Sequence, residues 1–536
     1  MKLTLEDMRK GQGWDGYRLP AFDYDSVKKN TMERPRWVHF GSGNIFRIFP
    51  AKLCQRLLDA GQTDTGIIAG EGFDGEIIDR IYKPHDNLTL AVTLKADGSI
   101  EKEVIASVTE AVKCSREDEA EWNILLRAFT NPSLQMVSFT ITEKGYALYN
   151  PSGELFGFYA EDFRKPAAES SVFLCSLTYL IYRRWKENQA PLALVSMDNC
   201  SHNGDKLKAA VMTIAKAYVD NGSFEPAYLD YLQDESKISF PISMIDKITP
   251  RPDESVRKML EADGFEDSEP IITSKHTYIA PFVNAEEAEY LVIEDKFPAG
   301  RPALEKAGVY FCDRETVDKV ERMKVTTCLN PLHTALALSG CLLGYTLISR
   351  EMQDEDLSKM VHILGYREGL PVVTDPGIIK PKAFIDEVLE KRIPNPFMPD
   401  TPQRIATDTS QKLSIRFGET IKSYLASDSL DVKSLKVVPL VYALYLRYLM
   451  AIDDEGNSFT LSPDPMTETL QPMLSSVTFG DSGDFSKVLA PLLSNEKIFG
   501  LDVTKTDLYP VVVADFARMV SGKGMVRATI HDVVNS

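Results

Sequence analysis

The chain has 536 residues, of which 44% are hydrophobic and 26% charged, and this composition is typical of a globular protein with more than one domain. Its formal net charge of −18 argues against nucleic acid as a partner, because phosphate backbones require a basic surface. A small anionic substrate stays compatible with this charge, since a pocket can be basic locally. Seven dispersed cysteines without a C-x-x-C pair favour reduced thiols and a cytoplasmic protein.

The two longest apolar runs, residues 331–348 and 437–452, both contain polar side chains. They therefore predict buried helices, and we expect no membrane span. The first 17 residues lack the apolar core of a signal peptide. The histidines and cysteines show no metal-ligand spacing, so no metal site is predicted.

Residues 1–35 are polar and poorly periodic, and they predict a surface arm. Residues 36–40 then predict a buried strand, and residues 48–60 have helical periodicity. The turn between them contains Gly41, which allows a tight turn, and Gly43, which lets the backbone approach a pyrophosphate. A strand, a glycine turn and a helix in this order are typical of a dinucleotide-binding βαβ unit. A purely structural turn is the alternative, because Phe46 replaces the third glycine of G-x-G-x-x-G.

A second strand is predicted at residues 65–69, and two acids, Glu71 and Asp74, follow it. An acid at this place binds the adenosine ribose and repels the 2′-phosphate of NADP. The acids therefore favour NAD, although NADP stays open. The glycine-rich loop does not indicate which acid lies at the ribose, and two solvated loop acids are the alternative.

Further strands are predicted in the same α/β sheet, at residues 89–94, 136–142 and 192–197. Polar clusters lie at the ends of predicted strands, where ligands collect in open α/β sheets. These clusters span residues 140–146, 196–204 and 244–250. The alternative for Asp198 and Asn199 is helix capping, because a helix is predicted at residues 205–220.

A Gly/Pro-rich connector at residues 294–302 separates this α/β pattern from an overwhelmingly helical one. We therefore predict a Rossmann-type domain over residues 1–300, which includes the N-terminal arm. A predominantly α-helical domain is predicted over residues 301–536.

Residues 321–333 place a lysine, an asparagine and a histidine close together: Lys324, Asn330 and His333. One helix is predicted from an Asp313 cap to Cys328. A second is predicted from Pro331 to Leu342 with Asn330 as its N-cap. A lysine and an amide at such a junction suit proton transfer beside a polarised carbonyl. A solvated lysine and a core histidine are the alternative.

This Lys…Asn-x-x-His pattern resembles the polyol-specific long-chain dehydrogenase family, which includes mannitol dehydrogenases and hexuronate reductases. The turn fits the family's G-x-G-x-x-x-R variant through Arg47, and residues 140–146 fit its T-x-T-E-x-G-Y. The resemblance extends over nearly the whole chain. Residues 410–412 and 461–465 are most similar to the fructuronate reductase branch.

The resemblance implies metal-independent hydride transfer between a nicotinamide and a secondary alcohol or ketone. It makes Lys324 the general acid/base, whose pKa must be lowered by desolvation. It implies that Asn199 and Asn330 donate hydrogen bonds to the developing alkoxide. It also implies that Glu321 relays the proton. His333 and Asp246 are expected to contact substrate hydroxyls. The expected cofactor contacts are Gly41, Gly43, Asn44, Ile45, Phe46, Arg47, Glu71, Asp74 and Thr142.

The sequence departs from the family pattern near the lysine. Five residues separate Lys324 from Asn330, where the family has four, and Pro331 replaces the family's glycine. A π-bulge or the helix break can absorb the extra residue. The family's second basic substrate contact falls on Pro399 or Asp400.

The expected reaction interconverts fructuronate and mannonate with NAD. Arg251 is the first candidate for the substrate carboxylate and Arg392 the second. A surface ion pair of Arg251 with Asp253 or Glu254 is the alternative. Other readings are a mannitol 2-dehydrogenase, another polyol or tagaturonate oxidoreductase, an NAD-dependent sugar-acid epimerase and a non-catalytic nucleotide sensor. The oligomeric state stays open, and a monomer is compatible with the sequence.

Overall fold

A six-stranded parallel sheet organises the first half of the chain in the computed structural model, which describes every residue from Met1 to Ser536. The chain divides into unit 1, residues 1–94 and 98–318, and unit 2, residues 95–97 and 319–536. The division falls beyond the connector at 294–302, because the strand at Tyr310–Cys312 that follows the connector still pairs within unit 1.

Unit 1 contains fourteen strands and ten helices. The strands are β1 (Trp37–Phe40), β2 (Ile67–Glu71), β3 (Thr89–Leu94), β4 (Ile100–Ile105), β5 (Val108–Lys113), β6 (Met136–Phe139), β7 (Leu192–Ser196), β8 (Ile238–Ser239), β9 (Ser243–Asp246), β10 (Ile271–Ile272), β11 (Tyr278–Ile279), β12 (Phe282–Glu286), β13 (Tyr290–Glu294) and β14 (Tyr310–Cys312). The helices are α1 (Leu5–Lys10), α2 (Tyr24–Glu33), α3 (Asn44–Ile48), α4 (Pro50–Asp59), α5 (Glu119–Thr130), α6 (Gly157–Asp162), α7 (Phe173–Glu187), α8 (Asn203–Asp220), α9 (Ala227–Gln233) and α10 (Glu254–Ala262).

The main sheet has the strand order β5-β2-β1-β6-β7-β8, and all its pairs are parallel. This is the Rossmann order, with the switch point between β1 and β6. Helices cover both faces, so the strands are buried on both sides. Val38 and Phe40 of β1 belong to one apolar cluster and Trp37 to the other.

Two predictions about unit 1 were wrong. The strand at 89–94 exists, but it lies in a separate sheet of order β12-β3-β4, where it pairs antiparallel with β4. The predicted N-terminal arm is packed, because Trp14, Tyr17 and Tyr24 are buried. The hydroxyl of Tyr17 donates to Asp263 (2.8 Å).

Helix α11 (Arg314–Met323) contains the point at which the two units divide. Unit 2 is helical throughout. Its helices are α12 (Asn330–Leu343), α13 (Ile348–Glu351), α14 (Glu355–His362), α15 (Pro381–Glu387), α16 (Pro402–Ile405), α17 (Glu419–Leu425), α18 (Val437–Tyr448), α19 (Thr467–Leu470), α20 (Ser486–Leu493), α21 (Glu496–Phe499), α22 (Tyr509–Val520) and α23 (Met525–Asn535). The two apolar runs form α12 and α18, and every residue of α18 is buried. None of the helices combines the length and the apolar character that crossing a membrane requires.

Candidate active site

The glycine turn lies at the switch point of the Rossmann sheet. Gly41 has φ +100°, and a Cβ there would lie 2.1 Å from the carbonyl oxygen of Thr140, just beyond β6. Only glycine fits this position. Gly43 differs, because its φ is −79° and no atom lies within 4 Å of a Cβ built on it.

Neighbouring strands fix the turn through hydrogen bonds. The N–H of Gly41 donates to the carbonyl of Gly70 (3.1 Å) at the end of β2. The N–H of Ser42 donates to the Glu71 carboxylate (2.8 Å), and the Ser42 carbonyl accepts from the Tyr82 hydroxyl (3.0 Å). The turn is therefore rigid, while its Gly43 side stays open.

The first amides of α3 lack intrahelical partners, as at any helix start, and they follow Gly43 directly. Gly43, Asn44 and Ile45 are partly exposed. This donor set, the open Gly43 and the nearby Glu71 fit a dinucleotide pyrophosphate and ribose.

Phe46 and Arg47 are buried, so their side chains belong to the interior. The Phe46 ring stacks on His39 with a centroid distance of 3.9 Å. The Arg47 guanidinium donates to the Thr89 hydroxyl (3.0 Å) and to the carbonyls of Ala280 (2.7 Å) and Pro281 (2.9 Å). Arg47 therefore anchors the start of α3 to β3 and β12, and this explains its place in the pattern without a cofactor contact.

The two acids after β2 have different roles in the structure. The Glu71 carboxylate accepts N–H groups from Ser42, Phe73 (2.8 Å) and Asp74 (3.1 Å), which places it at the turn. Burial raises the pKa of Glu71, and these donors oppose the rise. Asp74 instead accepts the hydroxyls of Thr273 and Thr277 (both 2.6 Å) and fixes the β10–β11 hairpin. Of the two acids, only Glu71 is hydrogen-bonded to the glycine turn.

Asp198, at the end of β7, is a residue whose role sequence reasoning missed. Its carboxylate accepts the N–H groups of Ile141 (3.0 Å) and Thr142 (2.8 Å) and the Tyr146 hydroxyl (2.5 Å). Burial raises the pKa of Asp198, against these hydrogen bonds. Asp198 thus joins the loops after β6 and β7 and holds Thr142 at φ +66°.

The capping alternative for Asp198 and Asn199 was wrong, because His202 occupies the N-cap of α8. Asn199 is exposed just beyond the carboxyl end of β7. Asn203 ties the start of α8 to β9 through Ser243 (2.9 Å, N–H to Oδ1). Asp246 ends β9 and is buried.

Arg251 is exposed and forms no ion pair, so the predicted alternative of a pair with Asp253 or Glu254 was wrong. Its guanidinium carbon lies 3.8 Å from the ring centroid of Tyr278, a cation–π contact. Asp253 caps α10, and Glu254 pairs with Arg257 (2.7 Å).

In unit 2, Lys324 begins a π-helical turn. Asp313 caps α11 through the N–H of Thr316 (2.8 Å), as predicted, and the helix continues into a π segment at Lys324–Cys328. The extra residue before Asn330 is thus absorbed by a π turn, which often marks a functional site. Lys324 is buried, with 4% of its surface exposed. Glu321, one turn earlier, is half-buried and forms no ion pair.

The predicted N-cap at Asn330 was wrong by one residue. The break falls at Leu329 (φ −133°, ψ −62°), and Asn330 is the first residue of α12. Leu329 thus ends the π segment and precedes α12, and Pro331 is the second residue of that helix. The Asn330 side chain is half-buried and makes no hydrogen bond within the protein. Its amide is therefore available to a ligand.

His333 lies in the first turn of α12 among several charged groups. Burial lowers its pKa to about 4. Asp400 opposes this shift, whereas Arg392, Arg416 and Arg404 increase it. His333 is therefore neutral at neutral pH, and three arginines lie close enough to influence it. Arg404 pairs with Asp400.

The two C-terminal segments singled out by the sequence contact each other. The Asp464 carboxylate accepts the N–H (2.7 Å) and the hydroxyl (2.6 Å) of Ser410. The Pro463 carbonyl accepts the N–H of Asp408 (2.9 Å). These hydrogen bonds hold the residues just before the π segment at Ser414–Gly418, which contains Arg416.

Comparison with known families decides the assignment. A model described as the mannitol dehydrogenase Rossmann domain matches residues 35–306, and one described as the mannitol dehydrogenase C-terminal domain matches residues 316–520. The chain belongs to the mannitol dehydrogenase family. It is an NAD-dependent oxidoreductase with a Rossmann-type domain followed by a mostly helical one, as predicted.

Similar members of the mannitol dehydrogenase family include proteins with acidic and neutral substrates in their names. The chain is 50% identical over 538 residues to the D-mannonate oxidoreductase of Thermotoga maritima, covering 100% of this chain and 99% of that one. It is 25% identical to the Pseudomonas fluorescens mannitol 2-dehydrogenase solved with NAD and D-mannitol (TM-score 0.69, both chains covered completely). A D-sorbitol dehydrogenase structure shares the fold (TM-score 0.78, 23% identity, covering 96% of this chain and 97% of that one).

The two glycines of the turn give a matched pair of variants. Gly41→Ala is expected to lower the free energy of unfolding by roughly 2 kcal/mol or more, because it combines a left-handed φ with a clash against Thr140. Gly43→Ala is expected to cost at most about 1 kcal/mol, the difference between Gly and Ala at an N-cap. Its methyl group fills the open side of the turn, so NADH affinity should fall roughly tenfold.

Thermal melts and NADH fluorescence titrations of both variants check this pair. Equal melting temperatures, or unchanged NADH affinity in Gly43→Ala, would contradict the roles given to the two glycines.

Proposed function

We propose that this enzyme interconverts D-mannonate and D-fructuronate with NAD(H). The observation that carries this proposal is the 50% identity to a D-mannonate oxidoreductase over the whole chain. Arg416, an arginine near His333 without a carboxylate partner, supports it, because a sugar acid needs a local cation in a protein of net charge −18. We place the enzyme in the cytoplasm, since all seven cysteines are free thiols.

The nucleotide contacts come from the turn and its surroundings in unit 1. Backbone N–H groups from Gly43 to Phe46 bind the pyrophosphate, and Glu71 accepts a ribose hydroxyl. Gly41 shapes the turn, and Thr142 lies on the loop fixed by Asp198. A carboxylate offers about four acceptor positions, and Glu71 uses three of them within the protein. Bound NAD supplies the hydride acceptor, and NADH the donor.

The proton transfer is assigned to unit 2. Lys324 accepts the proton of the substrate hydroxyl during oxidation and returns it during reduction. The Asn330 amide donates a hydrogen bond to the alkoxide that develops on the same oxygen, a role that the family resemblance also gives to Asn199. Neutral His333 and Asp246 bind substrate hydroxyls, Arg392 is a further substrate contact, and Glu321 relays the proton to solvent.

The absorbance of NADH in the presence of the purified enzyme tests the proposal. Fructuronate, tagaturonate and fructose are compared as substrates, and fructuronate is expected to have the highest kcat/KM. Fructose is the matched neutral ketose, because a mannitol 2-dehydrogenase is the second candidate. A preference for fructose would assign the enzyme to neutral polyols. Sugar conversion without net loss of NADH would indicate an epimerase.

A further inference from the structure

Three buried arginines of this protein use all three guanidinium nitrogens in hydrogen bonds within the protein. Arg184 donates from Nε, Nη1 and Nη2 to five backbone carbonyls. Arg447 donates from the same three nitrogens to the carbonyls of Met519, Ile452 and Asp453. Arg47 also uses all three. A guanidinium removed from water is thus satisfied inside the fold, as its desolvation requires.

Arg416 is partly buried, and its guanidinium uses fewer of its nitrogens within the protein. Only its Nη1 has protein partners, the Thr334 hydroxyl and the Asn330 carbonyl (3.4 Å). Nε and Nη2 donate to no protein acceptor, and no carboxylate forms an ion pair with the side chain. Burial lowers the pKa of Arg416 to about 10, so the group is still charged at neutral pH. A partly buried cation without a counterion is costly unless a ligand supplies the anion.

The position of Arg416 points to the substrate as this ligand. Its two partners, Asn330 and Thr334, lie in the first turns of α12 on either side of His333. The charge of Arg416 also contributes to the low pKa of His333, which requires proximity. Arg416 therefore lies beside Asn330 and His333, to which the family resemblance assigns the alkoxide and substrate contacts.

We propose that Arg416 binds the carboxylate of the sugar acid through Nε and Nη2 and thereby selects acids over neutral polyols. Two neighbouring guanidinium nitrogens match the two oxygens of a carboxylate. Nη1 meanwhile fixes the side chain against α12 beside Asn330. The assignment rests on the proposed function and replaces Arg251, which stacks on Tyr278, as the residue that grips the carboxylate.

The test compares kcat/KM for fructuronate with kcat/KM for fructose in three variants. Arg416→Gln keeps a donor for Thr334 but removes the charge and the fork. We expect it to lower the fructuronate-to-fructose ratio about a hundredfold, mainly through KM for fructuronate. Arg416→Lys keeps the charge without the fork and should retain an intermediate ratio. Arg518→Gln removes an exposed arginine that pairs with Asp532 in the same unit, and its ratio should equal that of the wild type.

An unchanged ratio in Arg416→Gln would overturn the assignment while leaving the proposed function intact. If that variant fails to fold, a wild-type ratio in a folded Arg416→Lys variant would overturn it, since lysine cannot form the bidentate contact. A wild type that prefers fructose would overturn the proposed function and this assignment together.

Discussion

Replacing Lys324 with alanine is expected to lower kcat by about 10²- to 10⁴-fold in both reaction directions, the usual loss when a general acid/base is removed. The reason is that no other group in unit 2 is assigned to exchange the hydroxyl proton of the substrate. NADH binding should stay close to that of the wild type, because the proposed nucleotide contacts lie in unit 1. Single-turnover kinetics and NADH titration separate the two effects.

Lys324→Met is the matched control for folding. Lys324 is buried at the start of a π turn, so alanine also removes the packing of its aliphatic stem. Methionine restores most of that volume without a titratable group. Both variants should lose activity to the same extent, and the methionine variant should have the higher free energy of unfolding. Turnover within about tenfold of the wild type in either one would show that the lysine is not the acid/base.

Replacing Asn330 with alanine is expected to cost roughly 3 kcal/mol of transition-state stabilisation, as for the loss of one oxyanion donor. Its effect on folding should be small. Leu329 occupies the N-cap, and the Asn330 side chain makes no hydrogen bond within the protein, so no cap is lost. The expected result is a kcat reduced by two orders of magnitude in a protein with an unchanged melting temperature.

A melting temperature several degrees lower would show that the amide of Asn330 supports the fold. Activity close to that of the wild type would remove Asn330 from the reaction. Asn330→Asp provides the complementary variant, because it keeps the shape of the side chain but places a negative charge beside the developing alkoxide.

Much of the architecture could be predicted because local patterns determine it. The strand, glycine turn and helix at residues 37–59 follow from glycine geometry and periodicity, and they predicted a Rossmann-type domain. The order of the six strands comes from the structure. The extra residue between Lys324 and Asn330 predicted either a π-bulge or a helix break, and the structure has a π turn there. In each case the signal lies within a few residues of the feature.

The errors arose where a residue's partner is distant in sequence. Trp14 and Tyr17 give no periodic signal, yet they are buried, and the Tyr17 hydroxyl bonds to Asp263. β3 has a strand pattern, but nothing local indicates that it pairs with β12, nearly 200 residues later.

The roles of site residues also depend on partners that the sequence does not indicate. The location of Asp198 at the end of a strand was evident, but its carboxylate is occupied by three groups from residues 141–146. Arg416 lies between two apolar residues in a helical stretch, a weak sign of a special environment. Only the structure shows that two of its nitrogens lack protein acceptors.

The most direct test of the central claim follows the hydride itself. Fructuronate is reduced with NADH that carries deuterium at the transferred position of the nicotinamide, and the product is analysed by mass spectrometry. The account predicts mannonate with one deuterium on the carbon that was the ketone, at a yield equal to the NADH consumed. Mannonate without deuterium, or deuterium-free sugar products formed while NADH is preserved, would contradict it.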